Sequence, residues 1–432
     1  MKYEDISKNG YPLGFLIKKV DDNTKDLNKT FTSHTRQMDL LQKESIGYEG
    51  DLNSTSFRLT SDEGKHLNGT DLAPFPLGFF NASIHGDIVG TIMKQAASQG
   101  LKINNIDCEV LNSYYLTGSF VKGDGKGHAE PTTINLDIST SENHEDINNL
   151  ILKASKMAPV LAGLRTPLKN TFALYANGRR KDLSNLNESS KTDAEDPYQQ
   201  YKVEPSPSNI DNYSDRMIVK TGEVSAGTVE PVDGYNVPKS QDGNAENPKF
   251  NKIIRTIIGK SSTNANSKII EVDTVLGLPG MTHFVISCDI DGIIAPSPVN
   301  VMGAAISFCF LTQTHRYIHH QKFSIEGLRM SQYASFKENS DGTIEMLPLD
   351  THLYMNGTAS DEHNEKLIDM SEKTCYLHAT LSEALEPKIN LIRSPGLNLF
   401  STFVFKERLK IFLNKKNKSM DDWYEFISAL FG

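Results

Sequence analysis

The feature that most constrains this chain is that it aligns with itself. "APFPLGFFNASIHGDIVGTIMKQAASQGLKINNIDCEV" (73–110) lies over "APSPVNVMGAAISFCFLTQTHRYIHHQKFSIEGLRMSQ" (295–332) without a gap, at a constant offset of 222 residues. Ala73, Pro74 and Pro76 fall on Ala295, Pro296 and Pro298. Each stretch predicts a Pro-marked loop, a helix of about twenty residues and a strand in which Ile103, Ile106 and Cys108 match Ile325, Leu328 and Met330. Proline suits the first turn of a helix, where its fixed φ and missing N–H cost nothing. A second block aligns after a shift of five residues, which the looser loop "GSFVKGDGKGHAEP" explains: "HEDINNLILKASKMAPVLAGL" (144–164) lies over "DEHNEKLIDMSEKTCYLHATL" (361–381), with Leu150 and Ile151 on Leu367 and Ile368. Both open with acidic residues, which the positive end of a helix dipole favours. Both precede a short strand, "NTFALYA" or "PKINLIR". Units this long are duplicated domains, since solenoid repeats have periods of a few tens of residues.

The duplication sets the expected boundaries: a first repeat over 1–175, a second over 246–394, and between them 176–245. That middle stretch is rich in Asn, Ser, Asp, Glu, Pro and Gly and reads as a linker or surface excursion. Beyond residue 395, "STFVFKERLKIFLNKK" and "MDDWYEFISALF" predict two amphipathic helices without a counterpart in the first half. Hydrophobic residues at 38% and charged residues at 23% are enough for a sizeable globular core. A net charge of −9 with scattered Lys and Arg excludes a nucleic-acid footprint. No apolar run is long enough to span a bilayer and "MKYEDISKNG" lacks the order of a signal peptide, so a cytoplasmic protein is expected. Cys108, Cys288, Cys309 and Cys375 are too few and too dispersed for a disulfide framework, and none forms a CxxC pair.

A strand, a Pro-marked loop, a long helix with a cysteine at its middle, a hairpin and a second helix with a second cysteine resemble the OsmC/Ohr family, the osmotically induced and organic-hydroperoxide-resistance proteins. Each half resembles one family subunit. The resemblance implies an α+β fold of two OsmC-like repeats, antiparallel sheets around central helices, forming within one chain the intertwined dimer of the family. It also implies that a cysteine pair reduces organic hydroperoxides. "SPVNVMGAAISFCF" (297–310) keeps Pro298 and Cys309 in register, and the second family cysteine falls on Cys375 of "KTCYLHATL". In the first half those two positions hold Asp87 and Ala158. One site is therefore expected to be live and one degenerate, Asp87 being either a functional carboxylate at the seam or what drift left. The glutamate that in the family's peroxidases follows the Pro is Val299 here, and Leu77 in the first half. Val299 is thus expected to put an apolar wall where the family keeps a charge.

A peroxidatic cysteine acts as a thiolate and needs a nearby cation. At about 100° per residue, Gln313, Arg316 and His320 share the Cys309 face of the helix, with Arg316 roughly 10 Å along the axis. Arg255 or Lys260 of "KIIRTIIGKSS" is the alternative cation from an early strand. Cys375 and His378, three apart, face the same way, so the histidine is a candidate proton partner for the second thiol. The expected chemistry is attack by Cys309 on an organic or lipid hydroperoxide, resolution of its sulfenic acid by Cys375, and regeneration by a dithiol reductant. No cofactor or metal is expected: His315 and His319 are spaced as a helical metal pair, but no third ligand is recognisable and the "HExxH" glutamate is absent. "VKGDGKGH" lacks the phosphate-loop spacing and predicts a hairpin turn. Cys108 and Cys288 lie in strand patterns and are expected to pack in the core. Two other functions fit the same residues: a non-catalytic protein binding a hydrophobic small molecule, and a thiol redox sensor without turnover. Oligomers are compatible with either.

Overall fold

In the computed structural model, which describes residues 5–8, 10–20, 30–50, 54–119, 122–209, 213–223, 254–278 and 281–392, the chain is a mixed α+β structure built in two passes of similar element order, the second with one strand more after its long helix. The first pass has four strands, β1 (Gly14–Lys18), β2 (Phe31–Gln37), β3 (Lys43–Glu49) and β4 (Ser56–Ser61), then the 24-residue helix α1 (Pro76–Gln99). Strands β5 (Ile103–Thr117), β6 (Lys126–Ala129) and β7 (Thr133–Thr140) follow, then helices α2 (His144–Met157) and α3 (Pro159–Ala162) and strand β8 (Thr171–Ala176). A short stretch with β9 (Arg179–Lys181) and α4 (Ser214–Met217) leads to the second pass. That pass has β10 (Ile218–Glu223), β11 (Ile254–Asn264), β12 (Ile269–Leu276), β13 (Thr282–Asp289) and α5 (Pro298–Gln321). It continues with β14 (Ile325–Ala334), β15 (Phe336–Glu338), β16 (Ile344–Met346) and β17 (Asp350–Gly357), and closes with α6 (Asp361–Thr374), α7 (Tyr376–Glu383) and β18 (Lys388–Leu391).

The two large sheets exchange strands. One runs β1-β4-β3-β2-β14-β17-β8-β9, the other β10-β13-β12-β11-β5-β7-β18. The four opening strands of each half therefore pair with the hairpin of the other half: Arg36 stands opposite Arg329, and Asn264 opposite Asn105. The last strand of each half then joins the far side of that hairpin in parallel, β8 on β17 and β18 on β7. Without the exchange, β2 and β11 would each present an open edge of unpaired N–H and C=O groups.

Helices α1 and α5 lie between the sheets and against one another. Phe79 and Phe308 meet with ring centroids 5.5 Å apart, and at Gly86 a Cβ would stand 3.0 Å from Pro298 Cγ. Pro298 to Thr314 is buried without a break, and a helix apolar all round belongs in a core. Both long helices open on proline, and Ser297 adds a side-chain cap by accepting from the Asn300 N–H at 3.3 Å. α1 ends on Gly100 at φ 70°, the left-handed conformation glycine adopts without penalty.

Within 176–245, the described residues are not free of the body. Asp196 pairs with Arg329 at 2.5 Å, and Tyr201 donates to the backbone oxygens of His34 and Glu44, so this stretch covers the outer face of the first sheet. β10 pairs with β13. Residues 224–253 and the two helices expected beyond 395 lie outside the described residues. Among the described residues no helix is long and apolar enough to cross a membrane.

α1 approaches its sheet closely at Gly259 on β11. Asn81 of α1 donates to Val110 O and Asn112 Oδ1 there, and a Cβ on Gly259 would lie 1.7 Å from Asn81 Oδ1 and 2.8 Å from His85 Nε2. Gly259→Ala is expected to cost about 2 to 3 kcal/mol by overpacking, read as a lower urea midpoint at unchanged slope.

Candidate active site

Cys309 sits at the middle of α5, 3% exposed, and opens onto a narrow cleft. Both halves build its walls. Phe75, Pro76 and Leu77 come from the start of α1, Glu63 and His66 from the turn after β4, Arg255 and Ile257 from β11, and Gln313 and Arg316 from α5 itself; Tyr376 of α7 also lines it. The apolar wall expected from Val299 is made instead by Leu77. Val299 is buried at the first turn of α5, ten residues from Cys309, and does not line this cleft, because the crossing of the two helices puts the start of α1 beside the cysteine.

Both arginines named from the sequence reach the cleft, whereas Lys260 turns away and pairs with Glu109 at 3.5 Å. Arg316 donates from Nη1 to Gln313 Oε1 at 3.0 Å. Their charge is felt by the neighbours. Burial, then Arg255 and Arg316, push His66 down to about 3, so its imidazole is neutral. Burial raises Tyr376, against the pull of the same two arginines.

Cys375 is fully buried at the junction of α6 and α7, where it is the N-cap residue of α7. Burial, followed by interaction with Cys309, raises its thiol well above the ordinary range, while the backbone N–H groups of His378 and Leu377 pull it down. Cys309 is thus near enough to act on the Cys375 thiol, and both cysteines are free thiols. His378 Nδ1 lies 3.3 Å from Cys375 Sγ. Its ring is wedged against Phe172 and Phe310, with centroids 5.6 and 5.0 Å away, and burial pushes it down to about 3. His378 is thus a neutral hydrogen-bond partner of the thiol.

Three residues here escaped the sequence reading. Tyr114 of β5 is buried beside both sulfurs, its hydroxyl pushed well up by burial and then by Cys309. Glu63 lines the cleft, and Lys43 of β3, with 0% side-chain exposure, lies behind it.

At the equivalent position of α1, Asp87 is buried and its Oδ2 accepts the N–H groups of Val160 and Leu161 at 2.7 and 3.1 Å. It caps α3 from below, and Ala158, in place of the second cysteine, is the residue before that helix. Burial raises this carboxyl to about 7, against those two hydrogen bonds. Cys108 and Cys288 are buried on β5 and β13. Among the described residues no cluster of His, Cys, Asp and Glu could hold a metal ion. His315 and His319 face a separate cleft with Leu40, Leu41 and Leu67, and His315 is pushed down to about 4, chiefly by burial.

No curated protein matches the chain significantly. A crystal structure of an OsmC-like hydroperoxide resistance protein from Jannaschia sp. CCS1 is similar over 32% of this chain and 89% of its own, at 20% identity and a TM-score of 0.19. The family model described as OsmC-like protein matches residues 290–390, from the loop before α5 to β18, with Cys309 and Cys375 inside the match. Over those residues the chain is similar to the OsmC-like family.

Proposed function

We propose that this protein reduces organic or lipid hydroperoxides with Cys309 as the attacking and Cys375 as the resolving thiol, the two halves standing in for the two subunits of a family dimer with one live site. The observation that carries this reading is that Cys309 lines an amphipathic cleft with two arginines while Cys375 lies next to it. The Cys309 thiolate attacks the terminal oxygen of the hydroperoxide, an S–O bond forms as the O–O bond breaks, and the alkoxide leaves and takes up a proton to become the alcohol. The sulfenic acid then condenses with Cys375, releasing water and leaving a disulfide. A dithiol reductant, by exchange, returns both thiols. Phe75, Leu77 and Leu276 offer surface for the organic part of the substrate.

Consumption of cumene hydroperoxide with dithiothreitol as reductant tests the reading. The Arg255 side chain lines the cleft with Cys309, where it can meet the thiolate and the developing charge. A charge-assisted contact of this kind is worth about 1.5 to 3 kcal/mol, so Arg255→Met is expected to lower kcat/KM by roughly tenfold to a hundredfold. Unchanged kcat/KM removes Arg255 from the site. A protein that binds cumene hydroperoxide without consuming it is the hydrophobic-ligand carrier, and one that forms the disulfide once without turning over is a sensor.

A further inference from the structure

We infer that Glu63 is the acid that protonates the departing alkoxide, held for that task by a hydrogen-bond chain from Lys43 through Thr312. This rests on the peroxidase reading. The chain has one direction: Lys43 Nζ donates to Thr312 Oγ1 at 2.7 Å, and Thr312 Oγ1 donates to Glu63 Oε1 at 2.7 Å. Lys43 Nζ also donates to Leu41 O at 2.6 Å and lies 4.0 Å from Glu63 Oε1. Thr312 is one turn beyond Cys309 on α5, and Glu63 lines the same cleft as the sulfur.

A buried lysine with a buried carboxyl is a costly arrangement when apolar residues of similar size would pack, and this chain contains the apolar version. The N–H groups of Asp62 and Asp289 donate to the oxygens of the aligned prolines Pro74 and Pro296, at 3.2 and 3.0 Å, which makes the two aspartates equivalent points. The next residues are Glu63 and Ile290. One step back, Ser61 pairs with Lys43 in one sheet and Cys288 pairs with Ile270 in the other. Thr312 aligns with Gly90, and Ile290 packs on Gly90, where a Cβ would meet Ile290 Cγ1 at 2.9 Å. Lys43, Glu63 and Thr312 beside Cys309 are thus Ile270, Ile290 and Gly90 beside Asp87. The fold does not require the polar trio. It occurs where the cysteine is.

Burial raises the Glu63 carboxyl above its ordinary value, while Lys43, the Thr312 hydrogen bond and Arg316 pull it back. It can therefore carry a proton and also survive as a carboxylate after giving it up. As the thiolate attacks, the alkoxide leaves with the O–O electron pair and takes the Glu63 proton. Lys43 and Arg316 stabilise the resulting carboxylate, and the proton released when the regenerated Cys309 thiol ionises for the next cycle restores the acid through solvent.

The test compares two peroxides whose leaving groups differ in basicity. Cumene hydroperoxide releases an alkoxide that needs a proton; peroxyacetic acid releases acetate, which does not. Glu63→Gln is expected to lower kcat/KM for cumene hydroperoxide by about 100-fold or more, the usual scale of general acid catalysis, and for peroxyacetic acid far less. Glu63→Asp keeps an acid and is expected to show the same preference with a smaller loss. It also serves if Glu63→Gln leaves Lys43 uncompensated and fails to fold. Equal losses on both peroxides in either variant, or no loss, overturn the role of Glu63 while leaving the peroxidase intact. A wild type that consumes neither peroxide overturns both.

Discussion

Cys309→Ser is expected to abolish hydroperoxide reduction, whereas Cys375→Ser allows about one turnover per chain and then stops. The two roles follow from position. Cys309 lines the cleft and can meet a ligand, while Cys375 is fully buried behind it, with His378 at 3.3 Å and the first N–H groups of α7 around its sulfur. A serine at 309 has no nucleophile of comparable strength to offer. A serine at 375 leaves attack intact but nothing to condense with the sulfenic acid, which persists or is oxidised further to the sulfinic acid. Mass spectrometry after one equivalent of cumene hydroperoxide should then find added oxygen on Cys309 in Cys375→Ser and a disulfide in the wild type. Equal steady-state rates for wild type and Cys309→Ser would remove the peroxidase reading altogether. A Cys375→Ser variant that turns over at the wild-type rate would leave Cys309 as nucleophile but hand resolution to the external dithiol.

Much of the frame is legible in the sequence because it rests on local patterns that occur twice. The Pro-marked starts of both long helices, the strands around Cys108 and Met330, and the helices opened by acidic residues at 144 and 361 all follow from periodicity and capping preferences. What a linear pattern does not carry is which strand lies beside which. Either half could in principle have paired β2 with β5, or β11 with β14, within itself. The exchange is fixed by contacts more than a hundred residues apart, such as Arg36 with Arg329, which leave no trace in composition or period. Misplacing the apolar wall at Val299 comes from the same blindness. Val299 was expected there because it takes the place of the family glutamate in the same half, and only the crossing of α1 brings Leu77, its counterpart in the other half, to Cys309. Lys43 and Glu63 were hidden for a different reason. They lie in and just beyond opening strands whose alternation is weak and whose buried charges look, in sequence, like solvent-facing residues. The usable signal was asymmetry between aligned positions: Thr312 over Gly90 sits one turn from Cys309 over Asp87, and neither pair exchanges like for like.

Asp87 should make the protein less stable as pH rises from about 4 to 7, and Asp87→Asn should erase that dependence. The carboxyl is buried at 4% exposure, and its folded-state value of about 7 lies above the 3.8 of an ordinary aspartate. An acid whose pKa is raised on folding binds its proton more tightly in the folded state. Its favourable contribution is complete below the unfolded value and is lost as pH climbs through the folded one, because unfolding then releases a charge that burial disfavours. With one unit equivalent to 1.36 kcal/mol, the loss across that window is about 4 kcal/mol. Asparagine keeps an oxygen that can accept from Val160 and Leu161 and has no charge to bury. The stability of Asp87→Asn relative to wild type should therefore grow with pH between 4 and 7 and level off above, measured by urea unfolding at half-unit steps. A constant difference across that range would mean that Asp87 is ionised throughout and that the two N–H groups of α3 outweigh burial. Asp87→Ala separates the hydrogen bonds from the charge. It strands both N–H groups in the core at about 1 to 3 kcal/mol each and should be the least stable of the three at pH 5, where wild type still holds its proton.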